Sequence, residues 1–401
     1  KMKILRLIYD WPPPWQGLAA HPYELTASQL KEGHEVEIFC GRWPNAGAIE
    51  NPGGAKINPI IREPLPGTIF FTSSVILFFK YLIWRRKNTP DIIHSHGHFA
   101  VWIYWYRWFL QKFFPWSKEL NVPLVVHFHN VAKDRWAKME EQNKPITPLA
   151  RYLVWPLSIF SDKHAVKAAA ACIFVSKSNL EKAVEYYGAD PKRCFFVESG
   201  VNPELFKPVG VEEMEKSRRD LGLDIEDKVI LNHGVMSERK NVHLLVEALR
   251  YLPKDYKLLM VGPGDSGYMG KINETIKING LEGRVVKVGY TPYVQVPIAY
   301  QVSDIFVLPS VWEGLPKVVT QGLSCGIPCL VSGFKLSEDI EGLYYLEDLD
   351  AEYIANYIFK IVDGGLSTVD FNKVALIYSW TARAREIDRV YEFAKANYLL
   401  E

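Results

Sequence analysis

The sequence predicts an α/β protein of two Rossmann-like, doubly wound domains facing each other. Three observations predict it. Short apolar runs alternate with helix-period stretches along the whole chain, the runs are nearly continuous in apolar residues, and the series occurs twice in 401 residues. Near-continuous apolar strands belong to parallel sheets covered on both faces. A chain of this length holds two or three domains at ~100–200 residues each.

In the first half, residues 4–9, 35–39, 92–95, 124–127, 171–175 and 193–197 read as strands. Between the first two lies a helical pattern over 21–32, in which Tyr23, Leu25, Ala27 and Leu30 recur at helical spacing. The second half repeats the plan, with strands at 229–232, 257–261, 285–288, 305–308 and 328–331. Helical patterns at 242–251, 269–279, 296–301 and 317–325 separate them. Pro203 and Pro208 interrupt both periodicities and mark the join. The expected domains are 2–203, completed by a helix over 381–401, and 204–380. Ligands of such sheets bind beyond the carboxyl ends of the strands, so two facing domains are expected to share a cleft there.

Lys and Arg total 47 against 46 Asp and Glu. That balance excludes a dedicated nucleic-acid binder, whose phosphate contacts need a basic surplus. The charge is unevenly spread: residues 1–193 carry 25 basic and 16 acidic side chains (+9), and the remainder 22 and 30 (−8). The five cysteines are scattered, and Cys325 and Cys329 read as buried thiols. They form neither a disulfide framework nor a zinc pattern, which fits a reducing cytoplasm. The first residues read as a strand and not as a signal peptide. No stretch reaches the ~18 apolar residues of a membrane span. Residues 69–87 and 99–116 nevertheless mix Trp, Tyr and Phe with Lys and Arg, the composition of helices lying in an anionic membrane surface.

The segment from Asp304 to Ser332 is richest in chemistry. A strand runs into a loop holding Glu313 and Gly314, and a helix begins near Pro316. Proline suits a first helical turn because it lacks an amide hydrogen that would be unpaired there. The amides of Lys317 and Val318 then form a helix N-terminus able to accept phosphate oxygens. Glu313 can accept hydrogen bonds from sugar hydroxyls, and Gln321 lies one turn inside the helix, within reach of a ribose.

At this segment the chain resembles the retaining, nucleotide-sugar-dependent glycosyltransferases of family 4, which have the two-domain GT-B fold. The family pattern is Glu, seven residues, Glu, then a Gly-x-Pro strand. Glu313 and Gly326-Ile-Pro328 match, and Gln321 stands where the second glutamate is expected. The resemblance extends through Pro12-Pro-Pro-Trp-Gln-Gly17, His21 and Gly33-His-Glu-Val36. It continues through Asp91-Ile-Ile-His-Ser-His96, Val125-Val-His-Phe-His-Asn130, the 198–208 hinge and the closing Tyr378-Ser-Trp380. Gln16 replaces the first of two usual glycines. In Gly234-Val-Met-Ser-Glu-Arg-Lys-Asn241, Val235 replaces the usual phosphate-binding arginine.

The resemblance implies catalytic roles for His129, Lys240 and Glu313. It implies donor binding by Gly17, Gly234, Arg239, Leu315, Lys317, Val318 and Gln321. His129 is expected to face the transferred sugar, and His127 to be packing on the opposite side of its strand. His94, His96 and His98 are not expected to bind metal, and no cofactor is expected beyond the nucleotide-sugar. Front-face attack is the implied route to retention. The implied partners are a UDP- or GDP-sugar and a glycan or lipid-linked acceptor at the inner face of the cell membrane. Two alternatives stand beside this reading. One is a catalytically weakened nucleotide-sugar-binding subunit, motivated by Val235 and Gln321. The other is a soluble GT-B enzyme of another reaction, such as an epimerase or a disaccharide synthase.

Overall fold

The computed structural model describes every residue except 16, 45, 64–66, 142–145, 314–316 and 399–401. The chain divides into two units, Lys1–Ser199 with Trp380–Glu401, and Gly200–Ser379.

The first unit carries seven parallel strands among its described residues: β1 (Lys3–Ile8), β2 (Glu35–Arg42), β3 (Lys56–Ile61), β4 (Ile92–His96), β5 (Leu124–Phe128), β6 (Ala171–Phe174) and β7 (Cys194–Phe196). Their order is β3-β2-β1-β4-β5-β6-β7, so the winding reverses between β1 and β4. Helices α1 (Ala20–Lys31), α2 (Ser73–Arg85), α3 (Val101–Phe113), α4 (Ala132–Glu141), α5 (Trp155–Ala168) and α6 (Lys177–Tyr187) lie between the strands in sequence. Alternate strand residues serve opposite faces. Leu5, Leu7, Ile93, Leu124 and Val126 pack with Tyr81 of α2 and Tyr104 of α3. Ile4, Ile8, Ile92, Val125 and Ile173 pack with Leu25 of α1 on the other face.

The second unit repeats the plan with β8 (Lys228–His233), β9 (Tyr256–Val261), β10 (Val285–Val288), β11 (Ile305–Leu308), β12 (Cys329–Val331) and β13 (Leu343–Tyr345). Their order is β10-β9-β8-β11-β12-β13, all parallel, and the reversal falls between β8 and β11. Its helices are α7 (Val211–Asp220), α8 (Val242–Ala248), α9 (Ser266–Ile278), α10 (Val296–Gln301), α11 (Lys317–Ser324), α12 (Ala351–Val362) and α13 (Phe371–Tyr378). One face of the sheet packs on Leu245, Ile272 and Ile358 of α8, α9 and α12. The other packs on Tyr300, Val319 and Val374 of α10, α11 and α13.

Helix α14 (Trp380–Tyr398) returns the chain to the first unit. It packs beside α1, and its Trp380, Ile387, Val390 and Tyr391 complete the core on the Ile4/Val125 face. Full burial of one such aliphatic side chain contributes roughly 1.5–3 kcal/mol. The apolar runs read from sequence are all strands, with ends displaced by at most one residue except at β2, which runs three residues further than read. Strands β3 and β13 were not expected from apolar runs. Strand β3 is a half-exposed edge carrying Pro59, a residue that sheets tolerate at edges because it has no amide to donate. Strand β13 is only three residues long. The five cysteines are free thiols, with Cys325 and Cys329 buried.

Candidate active site residues

In the second unit the reversal brings the loop after β8 beside the loop after β11. Gly234 follows β8 with φ 136°, and a Cβ there would collide with the Lys240 ammonium. The glycine therefore makes room for Lys240, which is buried. Desolvation lowers the Lys240 pKa, with Glu313 opposing that shift and Arg239 adding to it. Asn241 follows at φ 49°, and its side-chain amide donates to the Pro309 carbonyl at 3.1 Å. The amide of Val311 donates to the Arg239 carbonyl at 2.9 Å. The two loops are thus tied through their backbones.

Glu313 is oriented at the centre of this clamp. Its amide donates to the Gly333 carbonyl at 2.9 Å. Its Oε1 accepts from Ser310 Oγ at 2.9 Å and lies 2.8 Å from Arg239 Nη1. Arg239 also donates to the Trp312 carbonyl and lies 4.6 Å over the Trp312 ring. The guanidinium is committed to holding Glu313. Val235, at the position where the family pattern has arginine, is exposed.

Lys317 opens α11 and Val318 follows it. Desolvation pulls the Lys317 ammonium down to about 8, although part of its side chain stays open to solvent. Gly322 lets α11 press on β12, since a Cβ there would lie 2.8 Å from Cys329 Sγ. Gln321 is buried, and its Oε1 accepts from the Tyr300 hydroxyl at 3.2 Å. That hydroxyl also meets His233 Nδ1 at 2.8 Å. Leu315, like Gln16, Gly314 and Pro316, lies outside the described residues.

In the first unit Gly17 has φ 57°, and a Cβ there would come within 2.8 Å of Asp10 Oδ2. Asp10 accepts from the Leu18 amide at 3.3 Å and from both terminal nitrogens of Arg62 at 3.2 Å. The Arg62 guanidinium lies 3.7 Å over the Tyr9 ring and 4.1 Å over Trp43. Asp10 and Arg62 thus support the Gly17 turn. Sequence reasoning missed both: Arg62 follows an edge strand with no apolar run, and no local motif links it to Asp10.

Five histidines gather near the carboxyl ends of β4 and β5. His129 follows β5, with its carbonyl accepting from Asn179 Nδ2 at 3.2 Å and its Nε2 3.2 Å from His96 Nδ1. The expectation for His127 is corrected. Residues two apart on a strand share a face, and the rings of His127 and His129 stack at 4.8 Å with planes 3° apart. His96 and His127 are register partners, and His21 of α1 stands edge-on to both His127 and His129. His98 is not part of this group; its Nδ1 lies 3.4 Å from Asp162 Oδ1. Asp162 holds the start of α4 through the Ala132 amide at 2.7 Å and accepts from the Tyr187 hydroxyl at 3.1 Å.

With this geometry in hand, two family models match the chain. The model for "Glycosyltransferase Family 4" matches residues 15–205, and that for "Glycosyl transferases group 1" matches residues 213–364. The chain belongs to glycosyltransferase family 4. Among curated relatives of this glycosyltransferase is the D-inositol 3-phosphate glycosyltransferase of Corynebacterium glutamicum, 23% identical over 93% of this chain and 90% of that one. Another is the UDP-Gal:alpha-D-GlcNAc-diphosphoundecaprenol alpha-1,3-galactosyltransferase of Escherichia coli, 27% identical over 77% and 80%. Among solved structures, Anabaena HepE in complex with UDP and glucose superimposes with a TM-score of 0.71 at 16% identity, covering 98% of this chain and 100% of that one. That likeness shows the GT-B fold. In this glycosyltransferase the family-pattern residues Gly234, Lys240 and Glu313 all fall at the strand reversal of the second unit.

The His98–Asp162 pair yields a pH test. Desolvation raises Asp162 to about 7, while the Ala132 amide and Tyr187 hydroxyl pull it down. Desolvation lowers His98 to about 4, and Arg135 lowers it further. A raised acid is protonated in the fold but not in the unfolded chain, so alone it makes stability fall as pH rises from about 4 to 7. A lowered histidine alone makes stability rise between about 4 and 6.5. In the intact protein the two contributions oppose. Urea unfolding across this window should show His98→Gln losing stability with rising pH relative to wild type, and Asp162→Asn gaining it, each by up to ~1.4 kcal/mol per pH unit. Parallel profiles for all three proteins would contradict the assignment.

Proposed function

We propose that this glycosyltransferase moves a hexose, with retention, from a UDP- or GDP-sugar to a hydroxyl of a lipid-linked glycan acceptor. The setting is surface polysaccharide or glycolipid assembly at the inner face of the cell membrane. The observation that carries the reading is the convergence of Gly234, buried Lys240, clamped Glu313 and the α11 terminus at one strand reversal. The second unit takes the donor and the first takes the acceptor.

In this reading the donor diphosphate lies against Lys240, Lys317 and the amides of Lys317 and Val318. Preorganised cations and helix amides stabilise the charge that develops as the diphosphate leaves, and no step is routed through a metal. Arg239 replaces the missing arginine only indirectly, by fixing Glu313 towards the sugar hydroxyls. Gln321, held by Tyr300, contacts the ribose. Gly17 brings backbone close to the diphosphate. His129, oriented by His96, hydrogen-bonds the transferred sugar, and the acceptor hydroxyl attacks the face from which the diphosphate departs. The Escherichia coli relative, named for a diphosphoundecaprenol acceptor, and the UDP and glucose held by HepE support this donor and acceptor chemistry.

The acceptor side draws on the surface of α2 and α3, which pack together. Tyr81 and Tyr104 point into the core, while Phe79, Ile83, Phe113, Phe114 and Trp116 are exposed. Lys80, Arg86, Lys87 and Lys112 lie in the same segments. No helix of the described residues is long and apolar enough to cross a membrane. Such a surface suits the headgroup region of an anionic bilayer.

Lys240→Ala should lower kcat/KM by about 10²–10³ without unfolding the chain. Because Lys317 titrates near 8 and a diphosphate favours its charged form, donor affinity should weaken above pH 8 by up to tenfold per unit. Lys317→Arg should remove that dependence, as calorimetric titration across pH 6.5–9.5 would show; an unchanged profile contradicts the contact. Donor binding without transfer to any acceptor would favour the weakened binding subunit. The protein should float with liposomes containing anionic lipid, and Phe79→Ser with Trp116→Ser should reduce that; failure of wild type to float sinks the membrane assignment.

A further inference from the structure

The histidine group of the first unit holds more imidazoles than the proposed contact of His129 with the sugar uses. We propose that His94, His96 and His127 form a binding site for a divalent cation of borderline softness, zinc foremost, entered past His21 and His129. The expectation from sequence weighed His94 and His96 together with His98, and set metal aside because the family resembled needs none and no carboxylate partner lies close in sequence. The fold pairs His98 with Asp162 and puts His127 in its place.

Strand parity explains the grouping. His94 and His96 follow Ile92, and His127 and His129 follow Val125, so all four project from the face of the sheet that α1 and α14 cover. One ring nitrogen from each of His94, His96 and His127 lies within 4.8 Å of the others, and all three residues are buried. His21, His127 and His129 form a second such group. His127 belongs to both, and His129 is only half-buried, which supplies a route inward from the surface.

The outer nitrogens are already engaged as metal-binding histidines require. Such ligands usually bond their second ring nitrogen to a neighbouring group that fixes ring orientation and tautomer. The Tyr391 hydroxyl lies 2.6 Å from His94 Nδ1, and His129 Nε2 lies 3.2 Å from His96 Nδ1. On each ring the opposite nitrogen, Nε2, is buried with no hydrogen-bond partner among the described residues. A buried polar atom in that state asks for a ligand. Buried Arg6 acts electrostatically on His94 and His96, and its own charge is favoured by Tyr391 and, less, by Asp388. Three imidazole nitrogens without carboxylate select zinc, cobalt, nickel or copper over magnesium, calcium or manganese.

The test uses the full chain without an affinity tag. The protein is stripped with chelator, loaded with zinc or cobalt, desalted and assayed for metal. The expected result is about one zinc retained per chain and strong visible absorption of four-coordinate cobalt. His94→Gln and His127→Gln should each reduce retention at least tenfold, whereas His243→Gln, in the second unit, should leave it unchanged. Should the variants unfold, wild type decides alone: four-coordinate cobalt bands with a zinc-dependent rise in Tm support the site. Absence of retained metal, a pale six-coordinate cobalt spectrum, or retention undiminished in folded variants overturns it.

Discussion

A parallel sheet that winds outward in two directions must reverse once, and the reversal leaves two neighbouring loops with no helix packed between them. In the second unit that place lies between β8 and β11. The rest of the candidate donor site depends on it. Residues 234–241 and 309–313 are distant in sequence, yet backbone bonds and the Arg239–Glu313 pair tie them into one rigid platform. The first unit reverses between β1 and β4 in the same way; Gly17 follows β1, and the histidines gather near the carboxyl ends of β4 and β5.

Within that platform the charges divide their labour. Lys240 and Lys317 are both held partly out of water, and desolvation weakens their hold on a proton. A dianionic ligand would reverse that shift, so in the proposed reading the cost of burying the two ammonium groups becomes selectivity for phosphate. Arg239 is the third cation, and the structure commits it to Glu313. In the proposed donor site, the exposed valine at 235 leaves phosphate neutralisation to two lysines and a helix terminus. A chain with arginine at 235 would carry one more charge at this point.

Much of this was legible in the sequence. The central strands are buried on both faces, so they print as apolar runs; β3 is a half-solvated edge broken by Pro59 and β13 is only three residues long, so neither does. Lys240, Glu313 and Lys317 could be placed in the fold from sequence because their spacing after a strand is local. Asp10 and Arg62 were missed because their contact spans 52 residues and depends on the edge strand. His127 was misplaced by reading alternation as if neighbours two apart lay on opposite faces. The inward engagement of Gln321 depends on Tyr300 of another helix, a pairing no linear pattern displays.

In the proposed function the loops after β8 and β11 hold the donor diphosphate. Hydrogen exchange with and without saturating UDP, and again with GDP, tests it most directly. The account expects one nucleotide to slow exchange at the amides of 234–241 and at the first turn of α11, with little change around β9 and β10. Protection confined to other segments, with the nucleotide demonstrably bound, would contradict it.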